Sequence, residues 1–370
     1  LNQICLLYLR SWDMKSNYDI LGNHIRLIDT RNRESITDRV LGINIDKFFM
    51  PSVANVIGTD LSKYKLISKG KFACDPMHVG RDERLPVALY DEEEPAIVSP
   101  AYFMFEVVDN SILNEDYLMM WFRRPEFDRI CWLHTDGSVR GGITWDDICR
   151  LELPIPPIEN QLEIVNSYKA ITERIALKQK INDNLDDTAQ TLYQKYFESN
   201  SDKSSWKQGT VGDVLQLQRG HDLPRTEMTG GKYPVAGSTG TIGYHDEFTA
   251  EAPVIVMGRS GNIGNPRLYL CNCWTHNTSL YVKQIYEAEP LWVFYLLKNL
   301  NYDGFVGGSA VPTLNRNDVH AYGIAIPPLE LQKSFSQKVM SLIYCKEENL
   351  SEIEKLQELQ KIILTTMSSR

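Results

Sequence analysis

The chain has 370 residues, 43% of them hydrophobic and 24% charged, which suits a globular protein of two or three domains. Its formal net charge of −9 argues against a free-standing nucleic-acid binder held by charge alone. No stretch is long and apolar enough to span a membrane, and the short greasy run Ile4–Leu9 lacks the basic flank and cleavage site of a signal peptide.

In chain order, residues 1–16 read as an N-terminal extension, with a more polar run opening at Met14. Residues 17–157 read as a first mixed domain. Within it Tyr102–Val108 has the composition of a strand and Tyr117–Arg123 that of a short helix. Asn17–Pro157 carries 16 basic and 23 acidic residues, and the acidic block Asp91–Glu94 cannot face a polyanion. Local basic positions remain at Arg31, Arg33, Arg81 and Arg84. Residues 158–199 then form a long helical pattern without Pro or Gly, starting just after Pro156-Pro157. The segment Asn200–Ser205 is polar and Pro-free and reads as a flexible join into a second domain, residues 200–328. There Ala252–Met257 reads as a strand and Leu291–Lys298 as a helix, and Trp206–Pro328 is nearly balanced at 9 basic and 10 acidic residues. Residues 329–370 give a second long helix.

The chain repeats itself. Ile155-Pro-Pro-Ile-Glu-Asn-Gln161 resembles Ile326-Pro-Pro-Leu-Glu-Leu-Gln332, an offset of 326 − 155 = 171. The same offset pairs Gly137-Ser138 with Gly308-Ser309, Asp147-Ile148 with Asp318-Val319, and Leu153 with Ile324. Upstream, Leu21-Gly22 matches Val211-Gly212 at an offset of 190, so the second half is 19 residues shorter inside. A period this long marks two copies of a half-molecule rather than a solenoid. Each long helix carries an apolar stripe at coiled-coil spacing. The first runs through Ile164, Tyr168, Ile171, Ile175, Leu185 and Leu192, and the second through Phe335, Val339, Leu342, Leu356 and Ile363. Polar residues, Lys178 with Asn182 and Lys346 with Asn349, interrupt the stripes near their middles. About 36 residues at 1.5 Å each make a rod of roughly 54 Å, longer than a small domain needs. The two stripes therefore suit burial against each other.

The second domain is rich in glycine turns, Gly237-Ser-Thr-Gly-Thr-Ile-Gly243 and Gly258-Arg-Ser-Gly-Asn-Ile-Gly264. A nucleotide cradle fails on detail, because no Lys-Ser/Thr follows and no G-x-G-x-x-G opens a helix. Turns that let the backbone approach another surface fit better, and their Ser, Thr, Asn, Arg and His residues suit base edges and phosphates. Cys271, Cys273 and His276 lack the second ligand pair of a zinc site. Seven cysteines without regular spacing suit reduced thiols and a cytoplasmic setting. No adenine-methyltransferase tetrapeptide, Walker A sequence, H-E-x-x-H or nucleophile elbow is present.

Together these residues resemble the specificity subunit of type I restriction–modification systems. The duplicated Gly-Ser … Ile-Pro-Pro … Gln block carries the likeness, as does Asn184-Leu-Asp-Asp-Thr-Ala-Gln-Thr-Leu-Tyr-Gln-Lys-Tyr-Phe197. So does the series Gln218–Pro224, Tyr233-Pro, Gly243–Asp246, Gly258–Gly261, Asn277–Leu280 and Val311–Arg316. In the first domain, Tyr117–Phe127 and Gly137-Ser-Val-Arg140 resemble a different class of recognition domain. The resemblance implies an α+β protein. Two target-recognition domains are joined by two long helices that form an antiparallel coiled coil with a pseudo-twofold internal repeat. It implies a non-catalytic chain whose domains each read half of a bipartite double-stranded DNA target. Two methyltransferase subunits assemble on it, restriction subunits join to cut, and these partners carry S-adenosylmethionine, ATP and Mg²⁺. No cofactor or metal is expected on this chain itself. Candidate DNA contacts in the first domain are Arg31, Arg33, Arg81, Arg84, Ser138 and Arg140. In the second they are Arg219, His221, Ser238, Thr239, Thr241, Tyr244, His245, Arg259, Ser260, Asn262, Asn315 and Arg316. One departure is that Val311-Pro312 stands where the first copy has Arg140-Gly141. The rival functions are a nucleotide-binding enzyme using the glycine turns and a purely structural coiled-coil scaffold.

Overall fold

The structure is a computed structural model that describes residues 18–54, 56–77, 79–135, 141–307 and 313–367. The N-terminal extension, Ser138, Arg140, the Gly308-Ser309 pair and Val311-Pro312 lie outside the described residues. The longer helices are α1 (Glu115–Phe122), α2 (Pro125–Leu133), α3 (Ile158–Tyr193), α4 (Pro290–Lys298) and α5 (Leu329–Thr366). None of the described helices is long and apolar enough to cross a membrane.

The chain divides into two compact units, Leu1–Leu177 with Glu352–Arg370, and Lys178–Ser351. The cut falls within the long helices rather than at the Pro-Pro pairs. The reason is packing: one end of each helix belongs to the core of each unit. In the first unit Ile164 and Val165 of α3 share a core with Ile363 of α5 and Met367, flanked by Tyr168, Ile171, Leu359 and Leu364. In the second, Ala189 and Tyr193 of α3 share a core with Phe335 and Val339 of α5, flanked by Leu192 and Leu342. Leu185 and Leu356 are half-buried, and no position of either stripe is exposed.

In the first unit the strands Ile25–Leu27, Phe103–Val107, Lys71–Cys74 and Val87–Tyr90 form an antiparallel sheet in that order. Phe49–Pro51, Val40–Ile43, Ala96–Val98 and Lys65–Ile67 form a mixed sheet. Helix α1 starts where the Asn114 side chain accepts from the Tyr117 N–H, with Glu115 and Asp116 in its first turn. Pro125 opens α2, where its missing N–H costs nothing. Aromatic packing joins sheet to helices, with Phe72 stacked on Phe105 at 5.0 Å and Phe122 edge-on to both.

In the second unit Leu215–Arg219, Ser279–Ile285, Val254–Gly258 and Gly264–Tyr269 form an antiparallel sheet. Gly240–His245, Tyr233–Gly237 and Trp274–Thr275 form a mixed sheet, the last pair parallel. The expected strands and short helices are present as Phe103–Val107, Val254–Gly258, α1 and α4. The polar join differs from expectation. Ser201–Ser205 is a 3-10 turn capped by the Asn200 side chain, and Trp206 behind it is buried, so the segment is an ordered turn rather than a flexible link.

The repeat is physical. Leu21 N–H bonds to Leu151 O at 2.7 Å in the first unit, and Val211 N–H bonds to Tyr322 O at 2.9 Å in the second. These pairs superimpose under the two offsets, 21 + 190 = 211 and 151 + 171 = 322. The same arithmetic carries the strand pair Asp19↔Leu153 onto Gly209↔Ile324. The repeated glutamines have one job. Gln161 is fully buried, accepts from Asn114 N–H at 2.9 Å and donates to Pro156 O at 2.7 Å. Gln332 accepts from Glu289 N–H at 2.9 Å and donates to Pro327 O at 2.8 Å. Asn114 and Glu289 are the N-cap residues of α1 and α4. Each Gln thus ties the start of a long helix to the start of a domain helix and pairs backbone groups that burial would otherwise strand.

Candidate nucleic-acid interface

In the second unit the motif segments scattered through the sequence converge. The turn after Gly258 is held from three sides. Arg259 N–H bonds to Thr278 O at 3.0 Å, Arg259 O accepts from Leu314 N–H at 2.8 Å, and Ser260 bridges Thr313. Asn262 donates to Ser238 O at 3.2 Å, and Ser238 N–H bonds to the Thr278 hydroxyl at 3.3 Å. Gly220 N–H bonds to Ser279 O and His221 N–H to Thr275 O. One loop cluster therefore gathers Arg219, His221, Ser238, Thr239, Arg259, Ser260, Asn262, Asn315 and Arg316.

The glycines serve this convergence, and the surface they approach is the chain's own. A Cβ at Gly258 would overlap the Asn262 carbonyl oxygen, and one at Gly220 would overlap the His276 carbonyl. Their function is close backbone packing, which leaves no phosphate cradle there. Gly261, at the tip, has a φ of +76° and open space around it.

Thr241, Tyr244 and His245 are placed differently. They follow the turn along the strand Gly240–His245, whose far end pairs His245 with Tyr233. Tyr244 lies five residues from Thr239, roughly 17 Å of strand. Its side chain is half exposed, and the His245 ring stands edge-on to Trp274 at 5.1 Å. Tyr244 thus sits toward the far end of the hairpin, whereas His245 shares the Trp274 ring with His221 of the loop cluster, whose ring centroid lies 6.3 Å from it.

Electrostatics separates the arginines further. Arg31 pairs with Asp29 at 2.6 Å and donates to Lys63 O. Arg81 pairs with Asp82 at 2.6 Å, Arg84 with Asp46 at 2.9 Å and Arg219 with Asp222 at 3.4 Å. Arg33, Arg259 and Arg316 have no ion pair among the described residues. A paired guanidinium must give up its carboxylate before it serves a phosphate, so these three are the cheapest cations to bring to DNA.

Sequence reasoning missed the supports. Thr278 receives Ser238 N–H, its hydroxyl meets His276 Nδ1 at 2.9 Å, and the opposite nitrogen of His276 lies 3.2 Å from Leu223 O. Thr278 N–H also points at Nδ1, at 3.4 Å, which makes Nδ1 the acceptor and Nε2 the donor. His320 accepts from Leu217 N–H at 2.8 Å, and burial, then Arg316, depresses its pKa. The sequence signals were the place of Thr278 inside Asn277–Leu280 and that of His276 in the cysteine–histidine trio; His320 lies in none of the quoted motifs. The Cys271, Cys273 and His276 trio makes no metal cluster among the described residues. Burial pushes the Cys273 thiol up to about 12, far from the thiolate a metal needs.

The first unit carries a groove of about 790 Å³ lined by Arg84, Arg123, Arg129, Trp132, Tyr168 and Leu364, among others. Under it Lys47 is buried, bonded to Asp128 at 2.6 Å and lying over the Phe127 ring. Burial lowers the Lys47 pKa against the pull of Asp128. These groups satisfy one another and form no reactive centre.

Fold and loops together define a duplicated recognition protein whose second half presents a polar, arginine-bearing loop cluster on a packed frame. Residues 203–362 match the family of the type I restriction modification DNA specificity domain. A putative type I restriction enzyme MjaX specificity subunit from Methanocaldococcus jannaschii is 21% identical over 396 residues, covering 95% of this chain and 88% of its own. The type I restriction–modification S subunit from M. genitalium shares the fold at a TM-score of 0.60 and 15% identity, covering 95% and 96% of the two chains. A chain from a structure on complex assembly and conformational transition of the type I R-M system matches at 0.51 and 15% identity, over 96% and 98%. Residues 203–362 thus match a type I specificity domain, and the chain shares its fold with a type I S subunit.

Proposed function

We propose that this chain is the DNA-sequence-specificity subunit of a type I restriction–modification complex, with each unit reading one half of a bipartite duplex target. One observation carries the reading. Within the stretch that matches the specificity domain, three separate segments, at Ser238, Thr278 and Thr313-Leu314, hold the turn that presents Arg259, and the last of them leads into Arg316; neither arginine has an ion pair among the described residues. Rigid display of unpaired arginine among Ser, Thr and Asn side chains is what base and phosphate recognition needs. The nucleotide-enzyme alternative loses support, since Gly258 packs on the Asn262 backbone and Gly237, Gly240, Gly243 and Gly264 on side chains of the chain itself. A purely structural scaffold gives no reason for unpaired arginines on a packed loop frame.

In this reading the chain is not catalytic. Two methyltransferase subunits assemble on it, with restriction subunits joining them. Those partners carry S-adenosylmethionine, ATP and Mg²⁺, and they supply much of the cation that an acidic chain lacks. Methylome sequencing of cells that carry this chain together with its methyltransferase partner tests the proposal. A single bipartite methylated sequence, lost when this chain is deleted, is expected. Methylation that persists without the chain refutes it.

A further inference from the structure

We infer that Arg259 reads a guanine in the half of the target contacted by the second unit. The inference rests on the DNA-recognition reading above and assigns it a base and a residue. Among the candidate cations Arg259 combines a backbone fixed on both sides with the absence of an ion pair among the described residues; Arg31 and Arg219 are also held by backbone bonds, but they pair with Asp29 and Asp222. The Arg259 N–H is bonded to Thr278 O and its carbonyl to Leu314 N–H, so both peptide groups flanking its Cα are fixed to neighbouring strands or turns. The turn behind it is closed so tightly that Gly258 admits no side chain, and Asn262 locks the far side to Ser238. Its guanidinium has no ion pair among the described residues and is only half-buried. A phosphate contact asks for charge, which a mobile surface side chain supplies as well. A bidentate contact to guanine O6 and N7 asks for a planar fork aimed within narrow limits, and a clamped backbone supplies that aim. Lysine is a point charge and does not reproduce the fork.

The assembled complex of this chain with its methyltransferase subunits is used to select bound duplexes from a randomised pool, with wild-type, Arg259→Ala and Arg259→Lys chains in parallel. Both variants are expected to lose discrimination at one guanine of one half-site by about 5- to 150-fold, and to keep selectivity elsewhere. Thermal unfolding of both is expected to match wild type, because the backbone clamp does not involve the side chain. Uniform weakening with no position relaxed, restoration of full selectivity by Lys, or no change at all would each overturn the assignment. Failure of the wild-type complex to select any sequence is a different result, and it would sink the proposed function itself.

Discussion

Lys178 donates from Nζ to Oδ1 of Asn349 at 2.9 Å, and the two residues stand 171 positions apart, the offset that relates the two copies of the repeat. A residue bonded to its own counterpart marks the point where the two helical copies cross. Asn349 donates in turn to Asn182 Oδ1 at 2.9 Å, and both asparagines are buried. Lys346 pairs with Asp186 at 2.5 Å in the same unit. Three of the four polar interruptions, Lys178, Asn182 and Asn349, therefore form one chain of hydrogen bonds, and the fourth, Lys346, has its own carboxylate partner. Matched asparagines in an apolar seam fix register at some cost in stability. Asn349→Leu alone removes the buried partner of the Asn182 amide and is expected to destabilise by about 1–3 kcal/mol. Asn182→Leu with Asn349→Leu should recover part of that loss. Urea unfolding measures both, and a single variant as stable as wild type would show that the network is incidental.

The repeated glutamines predict matched losses. Gln161→Ala removes one accepted and two donated bonds, including that to Ile112 O at 2.8 Å. Gln332→Ala removes the bonds to Glu289 and Pro327. Stranding buried backbone groups is expected to cost about 1–3 kcal/mol at each site. Denaturant midpoints check this, and unchanged midpoints in both variants would end the tie-rod account.

Much of this fold is legible in the sequence because its signals are local or periodic. The stripes need only helical spacing, and the offsets alone align Leu21 with Val211 and Leu153 with Ile324. The state of the arginines was not legible, because it depends on carboxylates far along the chain. Asp46 lies 38 positions from Arg84, and nothing near either marks the pair. Lys47 and Asp128, 81 positions apart, gave no signal at all.

Acid should weaken the first unit through Glu106. Its carboxylate meets Lys71 and accepts from Arg26 Nε at 2.6 Å, and these partners hold its pKa below the ordinary 4.5. The folded value lies below the unfolded one, so this stabilisation is present above about pH 4.5 and disappears as pH falls through the folded value. Glu106→Gln is expected to lower stability near neutral pH and to converge on wild type in strong acid. Unfolding free energies measured across that range decide it, and a constant gap down to strong acid would contradict the assignment.

Salt dependence should sort the arginines. Arg316→Ala and Arg33→Ala each remove an unpaired cation, so each is expected to weaken duplex binding by the assembled complex and to flatten the log-affinity against log-salt slope by up to about one. Arg81→Ala and Arg84→Ala remove cations already spent on Asp82 and Asp46, and the slope is expected to stay near wild type. Fluorescence anisotropy over a salt series gives both slopes. Equal slopes for all four variants would mean that the intrachain pairs open on DNA.

Two glycines of one turn should behave oppositely. At Gly258 a Cβ would occupy the place of the Asn262 carbonyl oxygen, which belongs to the backbone and has no rotamer by which to escape. Gly258→Ala must therefore open the turn, at about 3 kcal/mol by the usual cost of overpacking. Opening displaces Arg259 from the hydrogen bonds to Thr278 and Leu314. At Gly261 the space is open and only the φ of +76° is demanding. Asparagine tolerates that region better than other side chains, so Gly261→Asn is expected to cost less than about 1 kcal/mol. The consequence for recognition is specific. Gly258→Ala should abolish selectivity in one half of the bipartite target while the half read by the first unit survives, and Gly261→Asn should retain both. Duplex selection with the two variants reads this directly. Full selectivity in Gly258→Ala would show that the clamped turn does not contribute to recognition.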